Sequence, residues 1–215
     1  MLVTSCKPKM PTANLQKQPD RITLASVDSN TPDSPPEDVK GIPTDIKEIK
    51  KAYLYIITQR GNGRLDSVSF TYSCEENHGT MIYFYEQGKL RMIDYDYSEG
   101  DHSGVVEQYF IKDSTLFFVY TEDGAWSFEA NGGPATVDRI NEKRTYIVNQ
   151  QPVKCLQKSY EIHSAAQIKT TPENISNKEV DCSSYQSLME PYQMLIRYLK
   201  NPTSACPEKY TFDNH

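Results

Sequence analysis

Aromatic residues crowd one part of this chain and are missing from another. All 15 Tyr, all 7 Phe and the single Trp lie at or beyond Tyr53, and the first 52 residues contain none. By Pro43 the chain has already placed 7 of its 13 prolines. A segment rich in Pro, Ser, Asp and Lys but poor in large apolar groups cannot bury enough surface to offset the entropy lost on ordering. Residues 7–42 therefore read as a disordered tether, with Asp33-Ser34-Pro35-Pro36-Glu37-Asp38 as its stiffest and most polar part. Residues 43–215 read as a single folded domain.

Beyond Pro43, Thr44 or Asp45 followed by Glu48 resembles a capping box. Ile46, Ile49, Tyr53 and Ile56 or Ile57 then recur at helical spacing, which predicts a helix to about Gln59, stopped by Gly61-Asn62-Gly63. Ser67 to Cys74 alternates strictly, with Val68, Phe70, Tyr72 and Cys74 on one face of a strand. Three similar hairpins follow over 83–92, 109–118 and 146–155. In each, an aromatic-led strand meets a polar turn, and an apolar residue follows seven positions after Tyr83, Tyr109 or Tyr146. Phe117-Phe118-Val119 is apolar on both strand faces, so this part of the sheet must be covered from both sides. Residues 163–181 read as a polar surface crossing. Tyr185, Leu188, Met189, Tyr192, Leu195, Ile196 and Leu199 then trace a helical stripe over about 185–200, with a break or kink expected near Glu190 and Pro191 in a first turn. The expected fold class is α+β: an antiparallel β-meander of about six to eight strands, flanked by an N-terminal and a C-terminal helix.

Val3-Thr4-Ser5-Cys6 has the pattern of a bacterial lipobox, in which an aliphatic residue and two small residues precede a cysteine that becomes lipid-modified. The other four cysteines, Cys74, Cys155, Cys182 and Cys206, allow two disulfides in three connectivities in an oxidising compartment. Cys74 and Cys155 fall in the first and last expected strands, and Cys182 and Cys206 flank the C-terminal helix. This favours 74–155 with 182–206, while buried reduced thiols remain the alternative. No C-x-x-C pair or zinc-like spacing is present.

Taken together, the lipobox, the polar tether, the helix and the Tyr-Phe-x-x-Gly-Lys-Leu type of turn resemble small lipoproteins of unknown function from Gram-negative gut bacteria. The resemblance covers about residues 43–162. It implies residues 1–6 as the remnant of a lipoprotein signal, a lipid on Cys6, and a place in the cell envelope, in the periplasm or at the outer membrane. It brings no established active site.

The net charge of −6 provides no basic footprint for phosphate neutralisation, so no nucleic-acid partner is expected. Nucleophile-elbow, phosphate-loop and zincin motifs are all missing, and no cofactor is expected. Asp101-His102-Ser103 has triad residue types, but three sequential residues cannot point at one another. In the acidic stretch 94–101, read as a connection, Asp94, Asp96 and Ser98 match the first three positions of a calcium loop, and Tyr95 and Tyr97 are candidate ligand contacts. Glu99 and Val105 occupy positions that an EF-hand requires as Gly and Glu, so an EF-hand is excluded. Trp126, just beyond a turn, is a candidate for stacking on a ligand. The expected function is a non-catalytic envelope module that binds a peptide, glycan or protein. An inhibitor of an envelope-targeting enzyme, working through a projecting 94–103 loop, and an unrecognised hydrolase are the alternatives.

Overall fold

The computed structural model describes residues 36–74, 77–130, 133–168, 170–202 and 207. The chain divides after Asn30, and every described residue lies in the second unit. Helix α1 spans Ile46–Gly61. Its first turn is closed by Asp45, whose carboxylate accepts from the Glu48 N–H at 2.8 Å, while Glu48 accepts from the Thr44 N–H at 2.8 Å. Eight strands follow: β1 Asp66–Cys74, β2 Asn77–Glu86, β3 Lys89–Glu99, β4 Ser103–Lys112, β5 Thr115–Phe128, β6 Thr136–Val148, β7 Gln151–His163 and β8 Lys178–Val180. They form one antiparallel sheet in sequence order. Helix α2 spans Tyr185–Lys200.

Each face of the sheet carries one helix. Ile49, Ala52 and Ile56 of α1 pack with Met92, Phe110, Phe117, Phe118 and Tyr146. On the opposite face Tyr192, Met194, Leu195 and Tyr198 of α2 pack with Met81, Tyr83, Ile93, Tyr95, Tyr109 and Ile111. The two-sided apolar run at Phe117-Phe118-Val119 is thus explained, because Phe117 and Phe118 serve the α1 side and Val119 the α2 side.

The three hairpins share one backbone solution. Gln87-Gly88, Asp113-Ser114 and Asn149-Gln150 each place two consecutive residues at positive φ, between 46° and 75°. Such two-residue turns match the natural twist of the strands they join. After each turn the register slips, leaving Arg91, Phe117 and Val153 as the extra residue of a β-bulge. Counted from the turns, Tyr146 is equivalent to Phe84 and Phe110. The third hairpin is therefore offset by one residue from the Tyr-led alignment read in the sequence. The offset moves Tyr146 to the α1 face, whereas Tyr83 and Tyr109 lie on the α2 face.

Four expectations need correction. Helix α2 runs through Pro191 with no break at Glu190. The ~3 kcal/mol cost of an interior proline is carried by a helix face buried on both sides of it. Residues 94–99 are strand, and the alternation Asp-Tyr-Asp-Tyr is the period of that strand. The crossing at 163–181 contains β8, which pairs with Cys155–Gln157. Finally, Asp38 and Val39, inside the stretch read as tether, pack on the domain: Val39 is buried in the α1-side core, and Asp38 is ion-paired to Arg91 and Lys112.

Candidate functional site

The turns of the first two hairpins open onto a cleft of about 320 Å³. Asp38, Tyr55, Glu86, Lys89, Arg91 and Lys112 line it, with Gln87 and Asp113 at its edge. Its floor is cationic. The bulge in β3 places Arg91 on the α1 side, where its guanidinium lies 5.8 Å from the centre of the Tyr55 ring. Lys112, the last residue of β4, reaches the same place from the second hairpin. Both cations are buried, with side-chain exposures of 7% for Arg91 and 9% for Lys112. Charges so buried need partners, because desolvation otherwise costs several kcal/mol per ion, as an order of magnitude.

Those partners are carboxylates above the floor. Arg91 donates to Glu86 at 2.6 Å and to Asp38 at 2.7 Å. Lys112 Nζ lies 2.7 Å from Asp38 and also donates to the Val39 carbonyl. The Tyr55 hydroxyl donates to Glu86, and Lys89 pairs with Asp113 at 3.0 Å on the rim. Burial pushes the Asp38 carboxyl up, but hydrogen bonds and charge from Lys112 and Arg91 outweigh it and hold the group below the usual carboxylate range. The hydrogen bond to Glu86, with partial burial, pushes the Tyr55 hydroxyl up to about 12. Arg91 Nε is buried with no hydrogen-bond partner among the described residues. The cleft therefore holds anionic groups against fixed cations.

A second charged cluster lies on the same face, farther along the sheet. Glu142 accepts from Arg144 at 2.7 Å and from Lys158 and Tyr160 at 3.0 Å each. The crossing segment closes it: Pro172 accepts from Lys158 and Asn177 from Arg144. The crossing segment bonds to two of its cations, so this cluster is built as structure.

The residues singled out from the sequence do not converge on either place. Tyr95 is buried beneath α2, its hydroxyl 2.7 Å from that of Tyr72 and its ring stacked on Tyr97 at 4.5 Å. Both tyrosines pack in the α2-side core, Tyr95 buried and Tyr97 half-buried. Asp94, Asp96 and Ser98 share the other face of β3. Asp94 is bound by Arg60 at 2.8 Å, and Ser98 hydrogen-bonds the His78 ring. No three His, Cys, Asp or Glu side chains are placed to hold a metal ion among the described residues. With 94–99 in β3, the projecting loop expected over 94–103 shrinks to a short turn before β4.

The Trp126 indole donates to the Asp101 carbonyl at 3.0 Å, and its ring is stacked by His102 at 4.1 Å, with Phe128 edge-on. Its polar handle and one of its faces are therefore already used, and it closes the far end of the sheet. Cys155 is bonded to Cys182 across a Cα–Cα distance of 5.3 Å, which overturns the 74–155 with 182–206 pairing. The reason lies in β8, which pairs with Cys155 and delivers Cys182 beside it. Cys74 is itself disulfide-bonded. Cys6 and Cys206 lie outside the described residues.

Sequence reasoning passed over Arg91, Lys112, Glu86 and Asp38. A signal was present: aligning the hairpins on their turns puts Glu86 and Lys112 at equivalent pre-turn positions, and Arg91 where the second hairpin has Phe117. A charge at a core-facing bulge position is the anomaly that marks a site.

In class, then, the domain is an eight-stranded antiparallel meander with a helix on each face and a charged cleft at its hairpin ends. No protein-family model, curated protein or solved structure matches the chain.

Proposed function

We propose that this chain is a lipid-anchored binding module of the bacterial cell envelope, and that its cleft takes the acidic group of a ligand. The observation that carries the binding role is the convergence of two buried cations, Arg91 and Lys112, on a single carboxylate from outside the sheet and helices. Two hairpins hold these cations in place, so the site is preorganised and a ligand pays little to order it. The envelope location rests on the lipobox-like Val3-Thr4-Ser5-Cys6 and on the disulfide between Cys155 and Cys182, since such bonds persist in oxidising compartments.

The test of the cleft is a thermal-shift screen of the whole chain against small carboxylates, phosphates and acidic peptides. Ligands that bind the folded state raise its melting temperature. Acidic compounds are expected to stabilise wild type and to lose that effect in Lys112→Ala. A panel in which nothing binds, or in which Lys112→Ala responds as wild type does, rejects the cleft. The anchor is tested by palmitate labelling of wild type against Cys6→Ala in a Gram-negative host, where equal labelling rejects it.

A further inference from the structure

We infer that Asp38 and Val39 are a built-in occupant of the cleft, and that the ligand displacing them is an extended peptide segment in which an acidic residue precedes an aliphatic one. This rests on the cleft being the ligand site and names the ligand's chemistry.

The short segment before α1 docks as a bound peptide would. The carboxylate of Asp38 spans both cations of the floor, at 2.7 Å from Arg91 and 2.7 Å from Lys112. Its other oxygen accepts the Val39 N–H at 2.8 Å, which fixes the acid relative to the backbone that follows. The Val39 carbonyl then accepts from Lys112, and the Val39 side chain is buried in the α1-side core. One acid, one carbonyl and one aliphatic side chain are thus read together, a combination that a peptide carries in two consecutive residues and a simple anion does not.

The occupancy is also incomplete. Arg91 Nε stays buried without a hydrogen-bond partner among the described residues, and a cleft of about 320 Å³ remains beside the segment. An incoming acidic residue can reproduce both ion pairs. The internal segment then acts as a competitor that weakens binding by the inverse of the fraction of time it spends undocked.

The test uses the full chain and a fluorescent synthetic peptide, Pro-Glu-Asp-Val-Lys-Gly-Ile, with the sequence of residues 36–42. Its affinity is measured by anisotropy for wild type, Asp38→Asn, and Asp38→Asn combined with Lys112→Ala. A segment docked nine-tenths of the time lowers apparent affinity about tenfold, so Asp38→Asn is expected to bind about tenfold more tightly. Binding should be lost with the added Lys112→Ala and with a peptide carrying Asn for its Asp. Equal affinity of wild type and Asp38→Asn, with binding still dependent on Lys112, overturns the built-in occupant and leaves the cleft standing. Binding indifferent to Lys112, or no binding by any form, overturns both. If Asp38→Asn melts early, Val39→Ala serves as the second opened form with the same expected gain.

Discussion

The hydroxyl of Tyr83, on β2, donates to the carbonyl of Leu195, in the middle of α2, at 2.7 Å and in a buried setting. It is a polar fastener between the sheet and the C-terminal helix, joining residues far apart in sequence. Tyr83→Phe keeps the ring and deletes this bond, at an expected cost of about 1 kcal/mol. Tyr83→Ala also removes a ring of the α2-side core and should cost about 3–5 kcal/mol. Urea unfolding followed by far-ultraviolet circular dichroism measures both. Equal losses for the two variants would mean that the hydrogen bond dominates and the packing account is wrong.

Gly79 faces Tyr72 across the β1–β2 ladder, and a β-carbon added there would sit 2.7 Å from the Tyr72 hydroxyl oxygen. The ring cannot easily retreat, because that hydroxyl is hydrogen-bonded to Tyr95. Gly79→Ala is therefore expected to destabilise by about 1–3 kcal/mol. Gly104→Ala, which meets nothing within 4 Å, should be near neutral. The pair of denaturation midpoints checks the difference.

Glu142 is shared by Arg144, Lys158 and Tyr160, so its loss strands more partners than the loss of any one of them. Glu142→Gln should cost about 3–5 kcal/mol. Lys158→Met leaves Glu142 still paired with Arg144 and should cost distinctly less. Midpoints in urea that reverse this order would show that the cluster is held chiefly by Lys158.

Two carboxylates should pull the pH dependence of stability in opposite directions. Asp38 is lowered in the folded state, so its stabilising contribution is full above the ordinary carboxylate value and is lost as pH falls through its folded value. Glu107 lies between the Tyr97 and Tyr109 hydroxyls, at 3.2 and 2.5 Å, and burial pushes its carboxyl up against the pull of those bonds. Its protonated form is favoured on folding, so stability is lost as pH rises from the ordinary value of 4.5 through the raised one. Glu107→Gln should therefore gain on wild type as pH rises, and Asp38→Asn should lose against it. Melting temperatures decide the signs, compared at about pH 2 and pH 5 for Asp38→Asn and at about pH 4 and pH 8 for Glu107→Gln.

The covalent frame gives a further check. Cys155 and Cys182 stand 27 residues apart, and closing such a loop stabilises by about 3.5 kcal/mol in the chain-entropy treatment. Peptide mapping under non-reducing conditions should recover 155 joined to 182. Recovery of 74 joined to 155 would contradict the path of β8.

The fold was legible because its signals are local. The cap at Asp45, the strand alternation in β1 and the stripe on α2 each depend on residues close in sequence. The strand character of 94–99 was legible too, but acidity masked its period. The disulfide pairing was hidden, since it depends on where a three-residue strand docks. The cleft was hidden for a similar reason: Arg91, Lys112 and Asp38 come from a bulge, a hairpin end and a proline-flanked segment, and only the tertiary fold brings them together.

The cleft's role is tested most directly by the amide and indole spectrum of the isotope-labelled chain during titration with the Pro-Glu-Asp-Val-Lys-Gly-Ile peptide. Shifts centred on Gln87, Gly88, Arg91 and Lys112 to Ser114, with the Trp126 indole N–H unmoved, are expected. Shifts at Trp126 and His102 with the cleft signals unchanged would place ligand binding at the opposite end of the sheet and contradict it.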